Sequence, residues 1–310
     1  MSVKTRHAAI SQYGDAVKRR ELRRYYRRAD VKVLPLAYVV NEQTAAYCAQ
    51  QAINIVQLIG LQQPIFIDPY ALDSNFLNAL PEDISARGYS LKPPDTRVYY
   101  GDYLSIRVSA SPVQVFFGRP PVEEQSLAAL NKALTEGGVA AFILPRHFKR
   151  FKMQSRVKSN AKLLHSVDLA APLFCSTHAP KFTAPYVFQV WATIGTVLPD
   201  KRIKEKPKKQ HPDFKMRHYT GKGGVESYLA EPFSFAIDRG GARADFSRRY
   251  YAREELDPNR QYILFTAQNP EVLDRLLALD YAALVDNTVI PHMRYLRGTE
   301  VVAGYTALHK

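Results

Sequence analysis

The chain has 310 residues, 46% hydrophobic and 23% charged, an ordinary balance for a folded protein long enough to hold an α/β domain with an appendage. Lys and Arg number 43 against 29 acidic residues, a formal net charge of +14 that points to polyanionic partners rather than to a fold. The two cysteines, with no CxxC and no Cys/His cluster at metal spacing, exclude a disulfide scaffold and a zinc site, and no apolar run is long enough to span a bilayer.

Residues 1–30 read as a basic N-terminal extension, with a helix over 15–29 that carries Lys18, Arg19, Arg20, Arg23, Arg24, Arg27 and Arg28 on nearly every face. No apolar stretch follows this basic start, so a secretory signal is not expected. The expected location is intracellular: cytoplasmic, nuclear, or within a viral or phage particle. From Val31 the pattern changes. Apolar residues at helical spacing predict a helix over 42–60, stopped by Gly60. Short apolar runs predict strands at 64–67, 97–100, 113–117, 139–144 and 187–191, with a helix over 124–136 broken at Gly137-Gly138. Strands apolar on both faces, alternating with helices, predict an α/β fold with a mostly parallel sheet over 31–198. Residues 199–224 break the pattern and read as a basic loop, and 200–224 hold nine Lys/Arg against three acids. Beyond it, apolar runs at 232–237 and 262–265 and a helix from Pro270 to Asp286 predict a small α/β appendage over 225–310 that completes the domain.

The order of parts between Pro64 and Trp191 resembles the adenine-specific (N6) amino-methyltransferases, which are Rossmann-like, class I enzymes dependent on S-adenosylmethionine. In that family an apolar strand ends in (D/E)-P-x-x-G-x-G-x-F-L, and a later strand ends in (N/D)-P-P-(F/Y/W). A helix, a Gly-Gly turn and a strand reading A-F-I-L-P follow. Here Asp68-Pro69-Tyr70-Ala71-Leu72-Asp73-Ser74-Asn75-Phe76-Leu77 stands at the first motif, and Arg119-Pro120-Pro121-Val122 at the second. Gly137 to Arg146 matches the third block, Asp102 stands at an intermediate acidic position, and Pro185 to Trp191 at the closing strand. The resemblance implies a class I methyltransferase-like fold, with the cofactor position at Asp68, Pro69, Leu72, Ser74 and Asp102.

The departures from the family pattern bear on chemistry. Glycines in the first loop let the backbone approach the cofactor, and here those positions are Leu72 and Ser74. The family's Asn/Asp accepts hydrogen bonds from the adenine amine while the aromatic residue stacks on the flipped base. Arg119 has five donors and no acceptor, and Val122 has no ring. These changes imply a catalytically degenerate, methyltransferase-like protein with no cofactor expected and no metal. The alternative is an active S-adenosylmethionine-dependent adenine-N6 methyltransferase with divergent motifs, which keeps the cofactor. A second alternative is a structural protein of a ribonucleoprotein or viral particle.

The charge supplies the expected partner, nucleic acid, either RNA or DNA. The N-terminal arginines, Lys149 and Arg150, and Lys204, Lys206, Lys208, Lys209, Lys215 and Arg217 are the expected phosphate contacts. Tyr219, Tyr250 and Tyr251 lie among cations, a pattern that suits stacking on unpaired bases. A non-catalytic subunit supporting an active methyltransferase paralogue, or another protein complex, is the expected setting.

Overall fold

The computed structural model describes residues 40–91, 93–108, 113–120, 123–169, 186–195, 197–219, 231–241, 243–290 and 293–308. The predicted helix over 15–29 with Arg19, Arg20, Arg23, Arg24, Arg27 and Arg28 lies outside them, as do Pro121 and Val122. Helix α1 (Glu42–Leu58) begins where the Asn41 side chain accepts the Thr44 N–H at 2.7 Å. Its buried stripe, Ala45, Cys48, Ala49, Ala52, Ile53 and Val56, recurs every three or four residues, and its small side chains let the helix lie close to the sheet.

Seven strands form the first sheet: β1 (Ile65–Asp68), β2 (Ala86–Ser90), β3 (Val98–Tyr100), β4 (Gln114–Gly118), β5 (Gly138–Pro145), β6 (Lys162–Asp168) and β7 (Tyr186–Ala192). Their order is β3-β2-β1-β4-β5-β7-β6, and β7 alone runs against the rest. This is the Rossmann-like sheet of class I methyltransferases. Alternate residues feed two cores. Phe66, Val115, Phe117, Ala141 and Phe188 join α1 on one face, and Ile67, Phe116, Phe142 and Trp191 pack against helix α3 (Glu123–Glu136) on the other. Each fully buried aromatic or branched side chain contributes about 1.5–3 kcal/mol. The Gly137-Gly138 turn matters because Gly138 has φ +80°, a conformation that costs glycine little.

The connections are uneven across the sheet. Between β1 and β2 stands a single turn of helix, α2 (Asn75–Asn78), and between β2 and β3 there is no helix among the described residues. Between β5 and β6 lie a 3-10 turn (Arg146–Lys149) and a one-turn helix, α4 (Phe151–Gln154).

A second, antiparallel sheet follows, ordered β11-β12-β9-β10-β8. Its strands are β8 (Phe214–Tyr219), β9 (Phe235–Gly240), β10 (Gln261–Ala267), β11 (Asp286–Ile290) and β12 (Met293–Tyr295), with helices α5 (Pro270–Leu277) and α6 (Gly298–Leu308). It packs around its own apolar cluster, which includes Phe214, Phe235, Phe265, Leu276, Tyr281 and Tyr305. Two expectations are corrected here. Phe214–Tyr219, read as part of the 199–224 loop, is a strand, because Phe214 and Met216 face the core while the charge sits on Lys215 and Arg217 between them. The helix expected to reach Asp286 ends at Leu277, where the Tyr281 hydroxyl donates to the Leu276 carbonyl and closes the last turn. No helix among the described residues is long and apolar enough to cross a membrane.

Candidate functional site

The strand order reverses between β1 and β4, and in sheets of this kind the crevice at the carboxyl ends of those two strands is where ligands bind. A small, open cleft lies there, lined by Val40, Asp68, Tyr70, Leu72, Asp73, Phe76 and Arg119. Asp68 and Leu72 from the first motif and Arg119 from the second, distant in sequence, thus meet at one place.

Asp68 is the last residue of β1 and is 2% exposed. It accepts the Tyr70 N–H at 2.9 Å, and no cation pairs with it among the described residues. Burial pushes its carboxyl up to about 8, the Tyr70 N–H pulls the other way, and the Asp73 carboxyl adds to the rise. At neutral pH Asp68 is therefore mostly a neutral acid. Gly118, the last residue of β4, has φ +123°, and a Cβ there would stand 2.7 Å from Asp68 Oδ1. The close passage of β4 over the buried carboxyl requires glycine on both counts.

The loop after Asp68-Pro69 turns without glycine. The Leu72 N–H donates to the Tyr70 carbonyl at 2.7 Å, a tight turn that leaves the Leu72 side chain on the cleft wall. Asp73 accepts the Asn75 N–H at 2.8 Å, and burial raises its carboxyl above the ordinary value. Ser74 donates its hydroxyl to Asp95, whose carboxyl is held at about 2 by Arg97 and that serine. Asp102 accepts the Leu104 N–H at 3.2 Å and the Ser105 hydroxyl at 2.9 Å, in a turn after β3 that does not line the cleft.

Arg119 follows β4 directly. Its guanidinium lies 5.4 Å from the centre of the Tyr186 ring and donates to the Tyr186 hydroxyl at 3.3 Å. Tyr186 opens β7, within the closing strand expected from the sequence, but its pairing with Arg119 is not legible there, since only the sheet order brings it within reach of a residue 67 positions earlier. Ser90, at the carboxyl end of β2, was missed with its strand. Dinucleotide-type folds place the ribose-binding acid at that end. Chemically the cleft offers a neutral acid, a cation and apolar walls. Among the described residues no group of three His, Cys, Asp or Glu side chains is placed to hold a metal ion.

The sequence-predicted phosphate contacts divide. Lys206, Lys208 and Lys209 lie exposed along an extended stretch between the sheets, as does Lys204, 3.8 Å from Asp200. Lys215 is exposed on β8. Lys149 is ion-paired with Asp168 at 3.0 Å, and Arg150 is half-buried beside it in the chain. Arg217 pairs with Glu231 at 3.0 Å and donates to the Pro232 carbonyl, tying β8 to the start of β9. Tyr219 and Tyr250 are 4% and 1% exposed, packed with Tyr262, so neither ring can receive a base; Tyr251 is 57% exposed.

No family model matches the sequence, and no curated protein matches it. Solved structures do align. One is a "putative RNA methyltransferase" from Pyrococcus horikoshii, at 13% identity and a TM-score of 0.38 over 52% of this chain and 91% of that one. A second is the methyltransferase subunit of a type I restriction-modification system from Streptococcus thermophilus, at 13% identity and a TM-score of 0.37 over 54% of this chain and 45% of that one. A third, from Thermoplasma acidophilum, aligns at 12% identity and a TM-score of 0.31 over 49% of this chain and 97% of that one.

Proposed function

We propose that this chain is a nucleic-acid-binding protein built on a methyltransferase fold whose methyl-transfer site is degenerate, acting as a non-catalytic subunit or scaffold. The observation that carries the reading is the pair Leu72 and Arg119 on the walls of the cleft at the β1/β4 switch point. A branched side chain stands where the cofactor needs close backbone approach, and a cation stands where an amine acceptor belongs. A guanidinium there also repels the sulfonium of S-adenosylmethionine.

Further features support the same view. The helix after the first loop has four residues, too short for an N-terminal dipole to steady a cofactor. Ser90 supplies no carboxylate for a ribose. On this reading the residues present do not fit S-adenosylmethionine. For nucleic acid, the support is the +14 charge together with the exposed lysines at 204–209 and Lys215, each able to neutralise a phosphate.

Titration calorimetry with S-adenosylmethionine tests the loss of the cofactor. No heat of binding is expected, and micromolar affinity would overturn it.

A further inference from the structure

Arg248 and Arg249 are neighbours with opposite fates. The Arg249 guanidinium turns inward, donating to the carbonyls of Phe246 at 3.0 Å, Ser247 at 2.7 Å and Leu279 at 3.3 Å, and lies 4.7 Å from the centre of the Tyr281 ring. It works as a pin under the loop that follows β9. Asp245 holds the same loop from its other side, accepting the Ser247 N–H at 2.9 Å, the Ser247 hydroxyl at 2.5 Å and the Arg248 N–H at 3.3 Å. The Asp245 N–H in turn donates to Asp238 at 2.6 Å, and Asp238 pairs with Arg260 at 3.1 Å. Tyr250 closes the loop by exchanging both backbone hydrogen bonds with Ala236.

Arg248 is left facing water, yet it is not loose. Its guanidinium lies 4.7 Å from the centre of the buried Tyr250 ring, so one face of the plane is seated on protein. A long cation on the surface ordinarily gives up considerable rotamer freedom when it grips a ligand. Here the backbone on either side is fixed and the plane is seated before any ligand arrives, which is preorganisation. Arg243, Tyr251 and Arg253 are exposed on the same stretch of chain, with Asp245, Glu254 and Glu255 as the opposing charges, and Asp245 Oδ1 takes the Ser247 and Arg248 N–H groups.

We propose that this loop is a preformed phosphate contact, centred on Arg248, through which the protein grips the phosphodiester backbone of its nucleic acid. The inference rests on the nucleic-acid reading above and adds a site in the second sheet to it. Arginine suits the task because its planar fork offers paired donors to phosphate oxygens while its face stays on an aromatic ring.

The test is the affinity of a fluorescently labelled single-stranded oligonucleotide, measured by anisotropy across a salt series for the full chain. Arg248→Ala is expected to weaken binding about threefold to tenfold and to lower the slope of log Kd against log salt by about 0.7, one phosphate's share on a single strand. Arg248→Lys is expected to restore the slope but not the full affinity, and guards against a folding defect in the alanine variant. The triple variant Lys206→Glu, Lys208→Glu, Lys209→Glu reads the general electrostatic contribution separately. If the triple variant binds weakly while both Arg248 variants keep wild-type affinity and slope, the Arg248 contact is overturned and nucleic-acid binding stands. If the wild-type protein binds no oligonucleotide at low salt, both fall together.

Discussion

Asp68 in the first sheet and Asp238 in the second are both aspartates inside the protein, 2% and 1% exposed, yet they are housed differently. Asp68 ends a parallel strand and receives one backbone N–H. Asp238 lies within β9 and receives the Asp245 N–H at 2.6 Å and the Arg260 guanidinium at 3.1 Å. Burial raises both carboxyls, but at Asp238 the Asp245 N–H and Arg260 work against the rise. One aspartate is tolerated because it keeps its proton, the other because its charge is matched. The first arrangement leaves an acid without a cation on the cleft wall, and the second ties the loop after β9 to the sheet.

Removing each carboxyl in turn breaks the comparison most directly. Asp238→Ala leaves Arg260 beside a vacated apolar site and frees the Asp245 N–H, and removal of one partner of a buried ion pair costs about 3–5 kcal/mol. The melting temperature should fall by roughly 6–20 °C for a chain of this size. A fall of only a degree or two would mean that Arg260 and Asp238 are not coupled, and the contrast with Asp68 would lose its basis.

A smaller effect sharpens the Asp68 side. Gly118→Ala places a Cβ against Asp68 Oδ1 and holds a side chain at φ +123°, so a loss of about 1–3 kcal/mol is expected. In an Asp68→Ala background the close contact is gone and only the backbone strain remains, so the same substitution should cost less. Equal losses in both backgrounds would show that the carboxyl does not crowd the glycine.

How far these sites could be read beforehand depended on whether the signal was local. Helix α1 and strands β1, β4, β5 and β7 are legible because their apolar residues fall at helical spacing or fill both faces of a buried strand. Strand β2, reading Ala-Arg-Gly-Tyr-Ser near the sheet edge, and β8, with Lys215, Arg217 and His218, carry too much polarity for that pattern to stand out. Within the cleft, Asp68, Leu72 and Arg119 were picked out by motif order, but Tyr186 was not, since its place beneath Arg119 follows from β7 and β4 both flanking β5. Nothing in composition separates Arg248 from Arg249, or Arg202 from the lysines after it. Arg202 turns inward over Trp191 and donates to the Lys158 carbonyl, so a run of like charges holds both structural and free cations. Only the three-dimensional placement of carbonyls and rings sorts them.

The finest prediction concerns pH. The Asp68 carboxyl titrates at about 8 in the folded protein, against about 3.9 in an unfolded chain. Across that interval the folded state holds a proton that the unfolded state does not, so the contribution is complete below about pH 4 and is lost as pH rises through 8. Asp68→Asn keeps an acceptor for the Tyr70 N–H and cannot ionise. It should match the wild type in acid and gain on it steadily, by about 1.4 kcal/mol per pH unit and so about 2.5–3 kcal/mol between pH 5 and 7. Asp238 is raised as well, but the Asp245 N–H and Arg260 oppose the rise, so Asp238→Asn should show the same trend more weakly while losing the ion pair with Arg260. Denaturant titrations of the three proteins at matched pH values read this directly. Parallel stability profiles for wild type and Asp68→Asn would mean that Asp68 is ionised in the fold, which would require a cation, Arg119 being the nearest candidate on the cleft wall, to have closed on it.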